Sequence, residues 1–412
     1  MDPFINISEK KQKRHWDGMI TNLKVRRRTT GALDHPSWSQ LPLELQLHIL
    51  NFLPLPALCR GKSVCKAWKS AIQGLGYSKA HRFCNGQWYI MDGFCSVGLC
   101  DGNSRPLSWK MIEMFTTMET ASICVSSAGL VLAYFPLNTL GTAVVCNPLD
   151  LSSLVKLPPP PGSEPTIIFV AIQSSVGSDN RPWFSVVSVQ GIKTTYVGAR
   201  HLVLQVYDSR VHKWVSSCRV FANGNEIAQT SFDDANDCML LREDKLYFIT
   251  IAKNNTRSLK CVNVWDSDGK VATVATWTSL PMGLHQEPYN GCRNNNTSLV
   301  YCAGKLVLAN FILDAQTLGF VYLDEASRQW RPLATMPREI LPANLRKVGP
   351  LASNMHEWSL VVAGGETEIT FLILHFEGCS GGIYNEVTDI WRTAFDQRGG
   401  ALYPFKPSFN PL

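Results

Sequence analysis

From Gln87 onward the chain reads as a series of short apolar runs, among them HLVLQVYD, CVNVWD, GFVYLD, KLYFITIA and KLVLANF, separated by Gly, Asn, Asp and Pro. Alternation over four to eight residues predicts strands, and the lack of helical spacing between them predicts antiparallel sheets. Helical spacing occurs in one stretch only, between Ser39 and about Gln73.

The strand pattern repeats. An aliphatic run closing on Asp or Asn, then a polar turn, then a Trp or Leu strand occurs as VVCNPLDLSSLVKL, LQVYDSRVHKWV, VNVWDSDGKVATVATW, FVYLDEASRQWRPL and GIYNEVTDIWRTA. The turn residues are Asn147, Asp208, Asp266, Asp324 and Asn385, spaced by 61, 58, 58 and 61 residues. An earlier copy, SVGLCDGNSRPLSWKMI, puts Asp101 and Trp109 in the same roles 46 residues before Asn147. Upstream of several turns lies a hairpin with a small or polar turn: SICVSSAGLVLAYF, DCMLLREDKLYFIT, TSLVYCAGKLVLAN and WSLVVAGGETEITFL. Each repeat therefore holds about four strands, the content of a propeller blade.

One such sheet cannot cover both of its faces. The sheets must stack in a ring, with the Trp or Leu after each turn packed against the next sheet. The expectation is an all-β propeller over 85–412, six-bladed with seven as the alternative. Pairing of ALYPFKPSF with strands near 85–115 would close the ring and remove its exposed edges. An irregular pair of β-sandwiches is the competing architecture.

In the helical stretch LPLELQLHILNFLPLPALCRGKSVCKAWKSAI, Pro42 stands at the start of a helix running from Leu43 to Leu53. At 100° per residue, Leu43, Leu47 and Leu50 share one side, and Leu45, Ile49, Phe52 and Leu53 continue around to the other. The apolar arc covers roughly 220°, far more than a surface helix uses. A second piece, Ser63 to Ile72, adds Val64, Trp68 and Ile72. About 35 residues cannot bury that much apolar surface alone, so it either docks on the β-domain or keeps a face for another chain. Arg60, Lys62, Lys66 and Lys69 oppose only Glu44, which favours an acidic partner.

Composition narrows the classes. Of 412 residues 45% are hydrophobic and 17% charged, as in globular chains with a large core. No run approaches the length of a membrane span, and the N-terminus MDPFINISEKKQKRHW carries charge where a signal peptide is apolar. Thirteen cysteines without a Cys-x-x-Cys pair fit reduced small hydrophobes rather than a disulfide frame or a zinc site. Net charge is +6, and residues 1–30 hold eight basic side chains against three acids. That tail, disordered over 1–37, serves as a nuclear address, a nucleic-acid contact or a solvated leader. The near-neutral body gives no sign of nucleic-acid binding.

Two resemblances follow. Tyr207 to Trp214 and Tyr384 to Trp391 have the spacing of the aromatic pair in kelch-type propellers, and Gly364-Gly365 resembles the kelch diglycine, though most copies lack both. The segment from Leu41 to Ile72 closely resembles an F-box: a Leu-Pro opening, an aliphatic helix, a second Leu-Pro, and a Val-Cys-Lys-x-Trp closing helix. SSAGLVL, CNPLDLSSLVKLPPPP and ALYPFKPSF resemble phrases of plant F-box proteins with a kelch-related propeller. The resemblance implies an F-box and linker helices over 38–84. It implies that Leu41, Pro42, Leu45, Ile49, Leu50, Leu53, Pro54, Leu58, Val64, Cys65 and Trp68 form either the interface with a Skp-family adaptor or the small core behind it. It further implies a non-catalytic substrate receptor of a Skp-cullin-F-box ubiquitin ligase in the nucleus or cytoplasm. Its partners would be the adaptor, through it the cullin and RING subunits, and an unknown target protein.

An enzyme is the first rival, because kelch-type propellers also carry copper oxidases. Gly378 to Gly382 satisfies the string G-x-S-x-G, but that elbow needs a helix after it, and a glycine-rich hairpin turn is the expectation. His201 and His212 have no Cys or His at ligand spacing, so no cofactor is expected. A non-degradative binding protein or transcriptional co-regulator is the second rival. For the target, the long polar segments 283–297 and 338–356 carry Tyr289, Arg293, Arg338 and Arg346, residue types that make strong contacts. The run LPPPPG at 157–162 reads as a stiff connector.

Overall fold

The computed structural model describes residues 40–53, 55–74, 88–93, 96–101, 106–107, 122–125, 130–135, 142–147, 150–161, 166–176, 182–195, 198–221, 226–229, 238–252, 254, 256–266, 269–278, 297–312, 317–340, 359–365, 367–375, 378–395 and 400–405. The chain divides into two compact units after Ile49.

The helices are α1 (Leu43–Asn51), α2 (Leu55–Gly61) and α3 (Lys66–Gly74). α1 opens where the Pro42 carbonyl accepts from the amides of Leu45 and Gln46, at 3.0 and 3.1 Å. Apolar spacing does not foresee α2, since Pro54 and Pro56 read as breakers. Pro56 falls in the first turn, where its missing N–H is not needed.

Strands β1 (Trp88–Gly93), β2 (Ser96–Asp101) and β3 (Pro106–Leu107) form one antiparallel sheet with the last strand, β25 (Gly400–Phe405). Trp88 to Gly93 pair with Phe405 to Gly400, so the ends of the β-domain meet where ALYPF was expected to close it. Three more sheets are meanders in chain order. The first holds β4 (Ser122–Val125), β5 (Val131–Phe135), β6 (Thr142–Asn147) and β7 (Asp150–Leu157). The second holds β17 (Thr297–Cys302), β18 (Lys305–Ile312), β19 (Thr317–Asp324) and β20 (Gln329–Thr335). The third holds β21 (Ser359–Gly364), β22 (Glu368–His375), β23 (Gly378–Asn385) and β24 (Ile390–Phe395).

The fifth sheet has nine strands. One meander is β8 (Thr166–Val176), β9 (Pro182–Thr195), β10 (Gly198–Asp208) and β11 (Lys213–Phe221); another is β13 (Met239–Arg242), β14 (Lys245–Ala252), β15 (Arg257–Asn263) and β16 (Val271–Trp277). Short β12 (Glu226–Gln229) joins them by pairing with both β10 and β14. First strands touch in turn, β4 with β8, β8 with β13, β13 with β17, β17 with β21 and β21 with β25, which returns to β4. The helical segment is thus followed by an all-β propeller.

Alternation holds the sheets together. On β18, Leu306 and Leu308 belong to the cluster shared with the preceding sheet, while Val307 and Ala309 belong to the next. On β9, Phe184 and Val186 face one cluster, and Val187 and Val189 the other. These inner strands are therefore apolar on both faces, which explains their near-continuous aliphatic runs.

The repeat turns share one construction. Asp208 Oδ1 accepts from the Arg210 amide at 2.9 Å, Asp324 Oδ1 from Ala326 at 3.1 Å, and Asn385 Oδ1 from Val387 at 3.1 Å. Four residues after each acid or amide stands a left-handed residue, His212 (φ 53°), Arg328 (φ 54°) and Asp389 (φ 53°). Asp266 does not fill this role. β15 ends at Asn263, whose Oδ1 accepts from the Trp265 amide at 2.9 Å, and Val264 and Trp265 look like strand because they pack into the core while turning. Left-handed backbone costs an L-residue about 1–2 kcal/mol, partly offset in glycine by lost chain entropy. Arg328→Gly is therefore expected to raise stability by about 0.5–1 kcal/mol, and Arg328→Val to lower it, as read from urea unfolding midpoints.

The aromatic pairs are cross-strand neighbours. Tyr207 registers with Trp214 and Tyr384 with Trp391, their rings 5.6 and 4.7 Å apart. Trp277 packs on the next sheet as expected, whereas Trp330 and Trp391 pack on the preceding one. Trp391 stacks on Phe320 at 5.3 Å, and Trp330 meets Trp277 edge-on at 5.4 Å. Directly opposed residues share a face, and the turn register puts Tyr207 and Tyr384 on the face toward the previous sheet. Gly378 to Gly382 is neither an elbow nor a hairpin turn but part of β23, where a Cβ on Gly382 would fall 2.5 Å from the Phe371 ring. The proline run is clipped in place: Trp214 Nε1 donates to the Pro158 carbonyl at 3.1 Å, and Gln205 Nε2 donates to that of Pro161.

Candidate functional site

α1 is where the sequence leaves too much apolar surface, and the structure divides it. Leu50 is fully buried and Leu47 half-buried on one side of the helix. Leu45 and Ile49 are 49% and 42% exposed, and Phe52, in line with them at helical spacing, is 62% exposed. Leu43, at the helix start, is 57% exposed. Burying a side chain of this kind is worth about 1.5–3 kcal/mol, so the outward row is a sticking surface in water.

The other expected residues separate in the same way. Leu58 and Ile72 are buried, Leu41, Leu53 and Trp68 are half-buried, and Pro42 and Cys65 are exposed. Pro54 lies outside the described residues. Trp68 and Ile72 close over Gly61, where an added Cβ would stand 3.1 Å from each. The turn from α2 to α3 is tied by the Lys62 amide on the Leu58 carbonyl and the Val64 amide on that of Gly61, both 3.1 Å, and it holds Val64 64% exposed. Cys65 Sγ then accepts from the Trp68 amide at 3.4 Å and caps α3. Phe52 is absent from the expected set, although its spacing from Leu45 and Ile49 identifies it.

Of the residues expected to hold the target, Arg338 is exposed at the start of a short 3-10 helix, Arg338–Ile340. Tyr289, Arg293 and Arg346 lie outside the described residues, as does the basic tail. Among the described residues no three His, Cys, Asp or Glu side chains stand where they could share a metal ion. The thiols of Cys146 and Cys302 are pushed up to about 12, by burial first, and so stay protonated and unreactive.

At the turn after β10, Arg210 donates to both Asp208 carboxylate oxygens, at 3.0 and 2.5 Å, and its guanidinium lies 4.4 Å from the Trp183 ring centre. Those hydrogen bonds hold Asp208 below the usual carboxylate range. A lowered carboxylate adds stability above its unfolded pKa and loses it as pH falls through the folded one. The stability gap between the native chain and Asp208→Asn should therefore narrow as pH falls below about 4. The gap is small throughout, because the arginine is half in solvent. Thermal unfolding across a pH series reads it.

A family model described as F-box-like matches residues 38–75. No curated protein matches the chain. Among solved structures, a protein from Lactobacillus plantarum is similar at 10% identity over 76% of this chain and 82% of its own, with a TM-score of 0.40. The six-bladed β-propeller lectin of Aleuria aurantia is similar at 10% identity over 77% and 90%, with a TM-score of 0.38. The propeller domain of the Trilobed protease from Pyrococcus furiosus is similar at 9% over 74% and 77%, with a TM-score of 0.37. The propeller assignment rests on strand pairing within this chain, and the helical segment has a family: residues 38–75 are an F-box-like domain.

Proposed function

We propose that this protein is the substrate receptor of a Skp-cullin-F-box ubiquitin ligase. The observation that carries the reading is the outward row Leu45, Ile49 and Phe52 on the first helix of an F-box-like domain whose Leu50 is buried. The row and the basic residues Arg60, Lys62, Lys66 and Lys69 suit an acidic adaptor with an apolar groove, and through it the cullin and RING subunits. The propeller holds the target. Its role is tethering, which raises the target's effective concentration near a charged conjugating enzyme, and it performs no chemistry itself.

The propeller is six-bladed and kelch-like in this reading. Counting the two meanders of the nine-stranded sheet separately gives six, and the Tyr207–Trp214 and Tyr384–Trp391 pairs support the kelch relation. The protein works in the nucleus or cytoplasm.

Affinity purification from cells with the proteasome blocked tests this reading. Adaptor, cullin and RING subunits should co-purify, and propeller-bound proteins should carry ubiquitin only when the F-box-like domain is intact. Bound proteins equally stable with that domain disabled would favour a non-degradative binding protein.

A further inference from the structure

Three donor side chains in one seam of the propeller have nothing to donate to. The seam lies between the meander β13 to β16 and the sheet β17 to β20, and an apolar cluster that includes Ile249, Leu259, Leu299 and Leu308 fills it. In it the indole nitrogens of Trp277 and Trp330 are buried without a hydrogen-bond partner, their rings 5.4 Å apart. Other indoles are placed differently: Trp214 Nε1 donates to the Pro158 carbonyl, and Trp265 Nε1 to Asp244 Oδ1 at 2.9 Å. Buried N–H groups are nearly always paired, so two unpaired ones in a single seam need a reason.

The third donor is Arg257, the first residue of β15. It registers with Trp277 on β16, and directly opposed residues share a face. Alternation along β15 puts it on the side of Leu259, which belongs to the cluster in the seam. Among the described residues, its half-buried guanidinium has no hydrogen bond and no acid beside it. Burial lowers its pKa, and the titratable group that acts on it is the Cys238 thiol. Cys238 Sγ in turn donates to the Thr297 carbonyl at 3.7 Å, tying the meander to the first residue of β17.

A buried cation is ordinarily paired, and a group of donors without acceptors suits a ligand that brings lone pairs and negative charge. We infer that the end of the seam opposite the Asp/Asn turns is a binding site for an oxyanion, a carboxylate or phosphate group, held by the Arg257 guanidinium with Trp277 Nε1 as a second donor. The fork of the guanidinium matches two oxygens of such a group, and the apolar cluster beside it strengthens the attraction by excluding water. The site stands apart from the F-box-like domain and does not depend on the receptor reading. Between Thr278 and Thr297 the chain carries one acid, Glu287, which is the alternative occupant.

Isothermal titration calorimetry and thermal unfolding of the full chain, at constant ionic strength, test the inference with inorganic phosphate, glutarate and the neutral isostere glutaramide. Phosphate or glutarate should bind at one site and raise the melting temperature, and glutaramide should do neither. The tighter of the two anions identifies the group. Arg257→Gln should weaken that anion about tenfold or more. Without the anion it should melt no lower than the native chain, because it removes an unpaired charge from the interior. Trp277→Phe keeps the ring, loses the N–H and should weaken the anion by a smaller factor. Binding of neither anion, or equal binding by Arg257→Gln, would overturn the inference. So would a melting temperature lowered alike in Arg257→Gln and Glu287→Gln, which would make Glu287 the occupant.

Discussion

Leu45→Asp or Ile49→Asp is expected to abolish binding to the Skp-family adaptor proposed as partner and to leave the fold intact. Each side chain is nearly half exposed, so the unbound chain gives up little by the change. In the complex each would lose the burial of its exposed half, about 0.7–1.5 kcal/mol, and add an unpaired charge that costs more than that. At 1.4 kcal/mol per tenfold, a loss of about 10- to 100-fold or more in affinity is expected. Surface plasmon resonance against the purified adaptor measures it, with thermal unfolding as the fold control. Leu50→Asp gives the contrast: the side chain is fully buried, so the helical segment itself should fail.

The largest effect on stability is expected from Gly364→Ala. Gly364 ends β21, and a Cβ there would stand 2.1 Å from the Tyr301 carbonyl oxygen and 2.9 Å from its carbon. The obstacle is the backbone of β17 at Tyr301, which is paired with Leu306 beside the hairpin turn, and it cannot swing aside like a side chain. The same junction is closed by the ion pair from Lys305 to Glu386 and by the cluster of Val300, Val307, Phe320 and Phe371. Separating the strands enough for a methyl group would disturb all of these, so a loss of about 3–5 kcal/mol is expected. Urea unfolding followed by tryptophan fluorescence should show a lower midpoint, or the variant should fail to accumulate in soluble form. A midpoint within error of the native chain would mean that β17 and β21 do not approach as described.

Much of this was legible in the residues. Alternating runs ending on Asp or Asn specify strands and turns locally, and the even spacing of those turns specifies a repeat. The ring closure at ALYPF was legible because an unpaired terminal strand needs an edge. What lay beyond reach depended on neighbours that a single segment does not reveal. Val264 and Trp265 are apolar whether in strand or turn. Trp330 and Trp391 pack on the preceding sheet while Trp277 packs on the next, because register decides the face. β12, four residues long, carries too little pattern to announce that it joins two meanders. In α1 both sides are apolar, so the sequence showed an excess without saying which side the core takes. The structure assigns Leu50 inward and Leu45, Ile49 and Phe52 outward.

The central claim is that this outward row is covered by the adaptor. Hydrogen-deuterium exchange on the full chain, with and without saturating Skp-family adaptor, tests it most directly. Exchange should slow across 43–52 and 62–68 on complex formation and stay unchanged in the strands from 122 to 405. No complex, or protection confined to the propeller with 43–52 exchanging as before, would contradict it.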